Sequence, residues 1–234
     1  MHEINNHYYL DSEVAMQLNN YIAFDDRAVL NIIGPPGSGK TSLLRTWGRL
    51  FEINRNRGVF FFMHFDLGAA GVESAKGILR RILFEMKAFY KIEEDVPNDY
   101  IQIKRTFLLW LRMGIAKGGI IIVIDGADGF DEPNDGIRQF LDCIPKILPT
   151  GLRLILSMET GANVFDKILT NVNFCKTLNI GALSKKARRH ICDSMLTRRG
   201  RALEDDGVDR IVQDPAMRNP LQLRMTMEYY LRTE

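Results

Sequence analysis

Residues 34–42 read GPPGSGKTS and place Gly34, Gly37, Gly39, Lys40 and Thr41 at the spacing G-x-x-x-x-G-K-[ST]. Glycines at those positions let the backbone curl with its N–H groups pointing inward. A helix that starts at once adds unpaired N–H groups and the positive end of its dipole to the same hollow. A concavity of this kind binds phosphate oxygens. Lys40 is then within reach of the β- and γ-phosphates of a nucleotide, and the Thr41 hydroxyl suits a bound Mg²⁺. Pro35 and Pro36 stiffen the loop and withhold N–H donors. Ser38 and Ser42 complete the expected cradle, which runs without a break from Gly34 to Ser42.

Asp125 ends the apolar run IIIVI at 120–124, and Asp128 follows three residues later. A carboxylate at the C-terminal end of a parallel strand sits at the ligand edge of a sheet. Asp125 is therefore the expected Mg²⁺ residue beside Thr41. Asp128 has three readings: orienting an attacking water, adding to the metal shell, or capping the next turn. Asp131, Glu132 and Asp135 read as a solvated loop. Ser157 ends the run LRLILS, and its hydroxyl either faces the γ-phosphate or is an ordinary strand-end serine. The expected catalytic set is Lys40, Asp125, Asp128 and Ser157. His64 and Asp66 end a further run near the same edge, with His64 read as a buried histidine satisfied by its surroundings.

These groups need a scaffold that holds strand ends side by side. Short β-branched or aromatic runs occur at 28–33, 59–65, 120–124, 152–157 and 176–180. They are continuous rather than alternating, as in strands covered on both faces of a parallel sheet. Between them lie helical periods: Val14 to Ile22 after a cap at Asp11 or Ser12, Ala75 to Phe89, Tyr100 to Ile115, and Ile137 to Leu148 with a bend or stop from Pro145. Strand alternating with helix predicts a doubly wound α/β domain over residues 1–180. The pattern then becomes wholly helical, with Ser184 as an N-cap and further helices at about 203–213 and 216–232, so residues 181–234 read as a small helical lid.

With 234 residues, 46% of them hydrophobic and a net charge of +2, the chain can bury a core and carries no bulk field toward polyanions. The apolar runs are too short to span a bilayer, and no signal-peptide pattern opens the sequence. Cys143, Cys175 and Cys192 make neither a C-x-x-C pair nor an even disulfide set. Lys185, Lys186, Arg188, Arg189, His190, Arg198, Arg199 and Arg201 read as a solvated helix face, since no aromatic residues interleave with them. Together these features predict a cytoplasmic protein without membrane insertion, for which nucleic acid is not an expected partner.

Several segments carry a family resemblance. GPPGSGKTSLLRTW, HFDLGAAGVESAKGILRRIL, IIIVIDGADGF, LPTGLRLILSMET, ALSKKARRHI and RNPLQLRMTMEYYLR resemble, in turn, the phosphate loop, second strand and helix, Walker B strand, sensor strand and lid of a P-loop NTPase. The likeness is to the additional-strand group and its STAND class, in the NACHT-like and nephrocystin-like branch. The resemblance implies a three-layer fold with a five-stranded parallel sheet in the order 5-1-4-3-2 and a helical lid. It implies ATP or ADP with Mg²⁺, and a role for Pro220 on the adenine side. Tyr8, Tyr9 and Leu10 fall about where class members hold the base. Where many relatives have a second acid after Asp128 this chain has Gly129, and where many have an arginine after the sensor serine it has Met158. The expected function is thus an ATP-binding switch module with slow hydrolysis, working with protein partners or by self-association through flanking domains. The alternatives are a scaffold that holds nucleotide without hydrolysing it and, further off, a small-molecule kinase.

Overall fold

The structure is a computed structural model that describes residues 12–24, 27–54, 60–67, 74–130, 136–162, 166, 168, 172–201 and 205–233. Five strands form one parallel sheet: β1 (Val29–Gly34), β2 (Phe61–Asp66), β3 (Ile120–Asp125), β4 (Leu152–Glu159) and β5 (Cys175–Asn179). Their order across the sheet is β2-β3-β4-β1-β5, which is the expected 5-1-4-3-2 read from the other edge. Every pairing is parallel.

Strand alternation divides the core in two. On one face, Phe61, Met63, Phe65, Ile120, Ile122, Ile124, Leu154 and Leu156 pack beneath α3 (Ala75–Tyr90), α4 (Tyr100–Ala116) and α5 (Gly136–Leu141). On the other, Leu30, Ile32, Ile121, Val123 and Ile155 meet α1 (Ser12–Ala23) and α2 (Lys40–Asn54) through Leu18, Tyr21, Leu44 and Trp47. A parallel sheet covered on both sides is the arrangement that continuous apolar strands favour. The two edge strands depart from that pattern. β2 alternates between buried and half-buried, and β5 is mostly exposed. Each has a neighbouring strand on one side only, so the covering helices reach them less fully.

Local signals set the helix ends. Ser74, Asp99 and Ser184 accept from the N–H groups of Gly77, Gln102 and Ala187 as N-caps. Gly200 closes α6 (Lys185–Arg199) in the left-handed region. α5 stops at Leu141, so the helix expected as far as Leu148 ends four residues before Pro145. Under the sheet, the buried Arg153 of β4 donates from Nε to Tyr21 O at 3.1 Å and from Nη2 to Ile22 O at 3.2 Å. The Tyr21 hydroxyl donates to Ala28 O at 2.8 Å. A cation placed at the C-terminus of α1 satisfies carbonyls that the helix itself leaves open.

After β5 come α6, α7 (Asp205–Gln213) and α8 (Pro220–Thr233). They have a separate apolar cluster built on Cys192, Leu196, Val208, Ile211, Leu223 and Met227. The basic run that opens α6 is not a uniformly solvated face. Arg188 is 3% exposed and donates to Asp214 O at 2.8 Å, tying α6 to the end of α7. Cys143 and Cys192 are buried free thiols. Among the described residues no helix is long and apolar enough to cross a membrane.

Candidate functional site

The glycine-rich segment forms a loop between β1 and α2. Gly37 and Gly39 have φ of +72° and +88°, conformations that side-chain-bearing residues rarely adopt. A Ser38 N–H to Pro35 O bond of 3.1 Å closes the turn. α2 begins at Lys40, so its first N–H groups open into the loop. Lys40 Nζ donates to Gly34 O at 2.8 Å and to Pro35 O at 3.2 Å. An ammonium has three donors, and these bonds fix the side chain along the loop with one left for an acceptor.

Parallel register brings the acid to this loop. Asp125 ends β3 at 2% exposure. Ser157, on the adjoining strand β4, donates from Oγ to Asp125 Oδ1, and Ser157 Oγ in turn accepts from Gly126 N at 2.9 Å. The hydroxyl, for which the sequence leaves open a γ-phosphate-facing role or that of an ordinary strand-end serine, is engaged in holding Asp125. From β2 on the other side, His64 Nε2 stands 3.5 Å from Asp125 Oδ2. Neither of these two atoms has a hydrogen-bond partner. Burial pushes the Asp125 carboxyl up, but the polar groups of His64, Ser157 and Thr41 around it outweigh that and hold it below the ordinary carboxylate value. Thr41 and Asp125, far apart in sequence, therefore meet. Asp128 lies half-buried on the short 3₁₀ turn Ala127–Phe130 that follows. Asp66, in register with Asp125, pairs with Arg45 of α2.

The helices after β5 reach the same loop. Asn219 accepts on Oδ1 from Leu221 N at 2.9 Å and Gln222 N at 3.3 Å, capping α8, while its Nδ2 donates to Pro36 O at 3.0 Å. Leu221 N also donates to Gly37 O at 3.2 Å. Pro220 is the first residue of α8, and its ring would lie 3.6 Å from a methyl group placed on Gly39. Between loop and lid is a cavity of about 620 Å³, in the range of small-molecule sites. Ser38, Gly39, Ser42 and Leu43 line one wall, Val14 and Ile180 another, and α6 with Pro220 the roof. Lys40, Thr41, Asp125 and Ser157 lie outside that wall, toward the strand ends.

Local spacing does not reveal that His64 faces Asp125, that Asn219 joins α8 to the loop, or that Val14 lines the cavity. The single signal for Asn219 was its place as an N-cap before a proline at N1. Tyr8, Tyr9, Leu10, Asp131, Glu132 and Asp135 lie outside the described residues. No group of three or more metal-ligating side chains occurs among the described residues. A site of Thr41 and Asp125 would leave its other positions to water and phosphate, as Mg²⁺ commonly does.

The fold is shared with solved ATPases and initiator proteins at low sequence identity. The Walker-type ATPase PABY2304 of Pyrococcus abyssi aligns over 96% of this chain and 68% of its own, at 14% identity and a TM-score of 0.66. Domain III of the Thermotoga maritima replication initiation protein DnaA aligns over 98% and 88%, at 14% identity and 0.59. The Aeropyrum pernix ORC1 protein, solved in complex with DNA, aligns over 95% and 59%, at 17% identity and 0.63. These likenesses establish a P-loop NTPase fold. Among curated proteins none matches the sequence. The family model described as Nephrocystin 3, N-terminal, matches residues 16–157, a span that holds the phosphate loop, Asp125 and Ser157 and covers more than half of the 234 residues, and the chain belongs to that family.

Proposed function

We propose that the chain is the ATP-binding switch module of a STAND-type NTPase, hydrolysing ATP slowly with Mg²⁺ to control how neighbouring segments or subunits pack. One observation carries this reading. The phosphate-binding turn meets the buried Asp125 on one side and the first turn of α8 on the other. The cradle Gly34, Pro35, Pro36, Gly37, Ser38, Gly39, Lys40, Thr41 and Ser42 would hold the phosphates, with the base and ribose in the cavity next to Val14, Leu43 and Pro220.

The donor set fits Mg²⁺. Asp125 Oδ2 is a buried anionic oxygen without a hydrogen-bond partner, and the Thr41 hydroxyl is among the polar groups around the carboxyl. Hard oxygen donors of this kind suit that ion. When bound, Mg²⁺ offsets charge on the β- and γ-phosphate oxygens. Lys40 would supply a further positive charge, Ser157 would keep Asp125 in one rotamer, and Asp128 is the carboxylate available to orient a water. Gly129 adds no second acid, which supports slow turnover. Loop and lid share the bonds at Pro36 O and Gly37 O. A ligand that alters the loop therefore has differential contacts in two lid positions, as any switch requires.

The engagement of Ser157 with Asp125, away from any phosphate-facing role, favours a second reading: a scaffold in which the nucleotide is structural. Denaturing the purified chain, chromatographing the released nucleotide and following phosphate release separates the two. ADP with slow Mg²⁺-dependent turnover supports the switch, and ATP that persists for hours supports the scaffold. A chain that retains no nucleotide and takes up none in a calorimetric titration with Mg·ATP refutes both. Protein partners or self-association through flanking domains, and a cytoplasmic location, belong to the same proposal. The expectation that nucleic acid is not a partner finds no support, because a protein of this fold was solved on DNA.

A further inference from the structure

We propose that His64 is a positioning residue for Asp125, bracing one carboxylate oxygen from β2 while Ser157 fixes the other from β4. This rests on the reading of Asp125 as the Mg²⁺ residue of a nucleotide site. The register produces the arrangement. His64 is paired with Val123 and Ile155 with Val123, so His64, Asp125 and Ser157 project from the same face of three neighbouring strands. The carboxylate at the end of β3 then has a polar group on each flank. Ser157 donates to Oδ1, and His64 Nε2 faces Oδ2 at 3.5 Å.

The surroundings give the imidazole no other evident task. Its neighbours on the same face of β2 are both committed to α2. Phe62 packs with Trp47 and Phe51, and Asp66 pairs with Arg45. Between them His64 is 15% exposed, and its Nε2 is buried without a partner. Leaving a buried polar atom unpaired is costly, so two such atoms facing each other favour closing their gap. With its hydrogen on Nε2, a neutral imidazole suffices as donor. An ionised carboxylate has about four lone-pair sites, so accepting from His64 leaves capacity on Oδ2 toward the ion and its water. Polar groups that orient a ligating carboxylate change metal affinity without touching the metal, and their loss costs about 10- to 100-fold.

The test uses the purified chain saturated with ADP and reads Mn²⁺ affinity by electron paramagnetic resonance, alongside ADP affinity in EDTA. His64→Leu should weaken Mn²⁺ binding about 10- to 100-fold and leave metal-free ADP binding unchanged. His64→Gln, whose amide nitrogen falls where Nε2 was, should restore most of the affinity. His64→Asn, whose nitrogen falls short of it, should not. If His64→Leu does not fold, the Gln and Asn variants carry the comparison. Wild-type Mn²⁺ affinity in His64→Leu or in His64→Asn, or equal losses in Gln and Asn, overturns the positioning role while the nucleotide site stands. A wild-type chain that binds neither ADP nor Mn²⁺·ADP overturns the site reading and the His64 role with it.

Discussion

Replacing Asn219 tests whether the lid is held by the phosphate-binding loop. Its side chain has two separable tasks. Oδ1 caps α8 through Leu221 N and Gln222 N, and Nδ2 donates to Pro36 O at 3.0 Å. An N-cap lost to alanine costs about 0.5–2 kcal/mol. The second bond is solvent-exposed, so the low end of the net hydrogen-bond range applies, about 0.5–1 kcal/mol. Asn219→Ala should therefore loosen the first turn of α8 by about 1–3 kcal/mol. Asn219→Asp keeps the cap, with aspartate and asparagine ranking about equally there. It loses the donor and sets a carboxylate against the Pro36 carbonyl. Hydrogen exchange at Leu221, Gln222 and Leu223 reads this locally, since about 1.4 kcal/mol of opening energy corresponds to a tenfold rate change when exchange is limited by local opening. The expected order of protection is Asn above Asp above Ala, with loop amides at Gly37 and Ser38 deprotected in both variants. If Asn219→Asp protects α8 and the loop as well as asparagine does, the contact with Pro36 contributes nothing, and the coupling of lid to loop fails with it.

Three further outcomes follow from the same structure. Lys40→Ala should abolish nucleotide binding in calorimetry while the circular dichroism spectrum and urea midpoint stay close to wild type, because among the described residues Lys40 bonds only to loop carbonyls. Arg153→Met should cost about 3 kcal/mol in urea unfolding, since it leaves the buried carbonyls of Tyr21 and Ile22 without their donor at roughly 1–3 kcal/mol each. Ser157→Ala should raise the pKa of Asp125, which the native fold holds below its ordinary value. A depressed carboxylate stabilises the fold above its unfolded pKa, and that contribution is lost as pH falls through the folded value. The stability gap between wild type and Ser157→Ala should thus be full at neutral pH and close on acidification. A gap that persists unchanged into strong acid refutes that account.

Different parts of the molecule were legible in the sequence to different degrees. The helix cap at Ser184, and the proline at the start of α8, are legible because capping involves groups within three residues of each other. The apolar period from Ile137 to Leu148 leaves a bend or a stop at Pro145 open; the helix ends already at Leu141, since a periodic pattern does not reveal where tertiary packing lets a helix end. The basic stretch of α6 reads as a solvated face because no aromatic residues interleave with it. Composition carries no information about which guanidinium turns inward, and Arg188 does so because the carbonyl of Asp214 is presented to it. Sheet order followed from family likeness, because strand runs of similar apolarity do not state their neighbours.

The sequence by itself determined the glycine-rich turn of residues 34–42. Its chemistry resides in nine contiguous residues, where two left-handed glycines and a helix start are enough to converge backbone N–H groups. It also determined that Asp125 ends a buried strand. Tertiary structure alone decided what surrounds that acid and what covers the turn. Ser157 and His64 reach Asp125 through the register of three strands, and Asn219 reaches Pro36 from 183 positions away in the sequence. Contacts made by lateral strand pairing and by lid packing depend on the three-dimensional path of the chain, which local spacing does not encode.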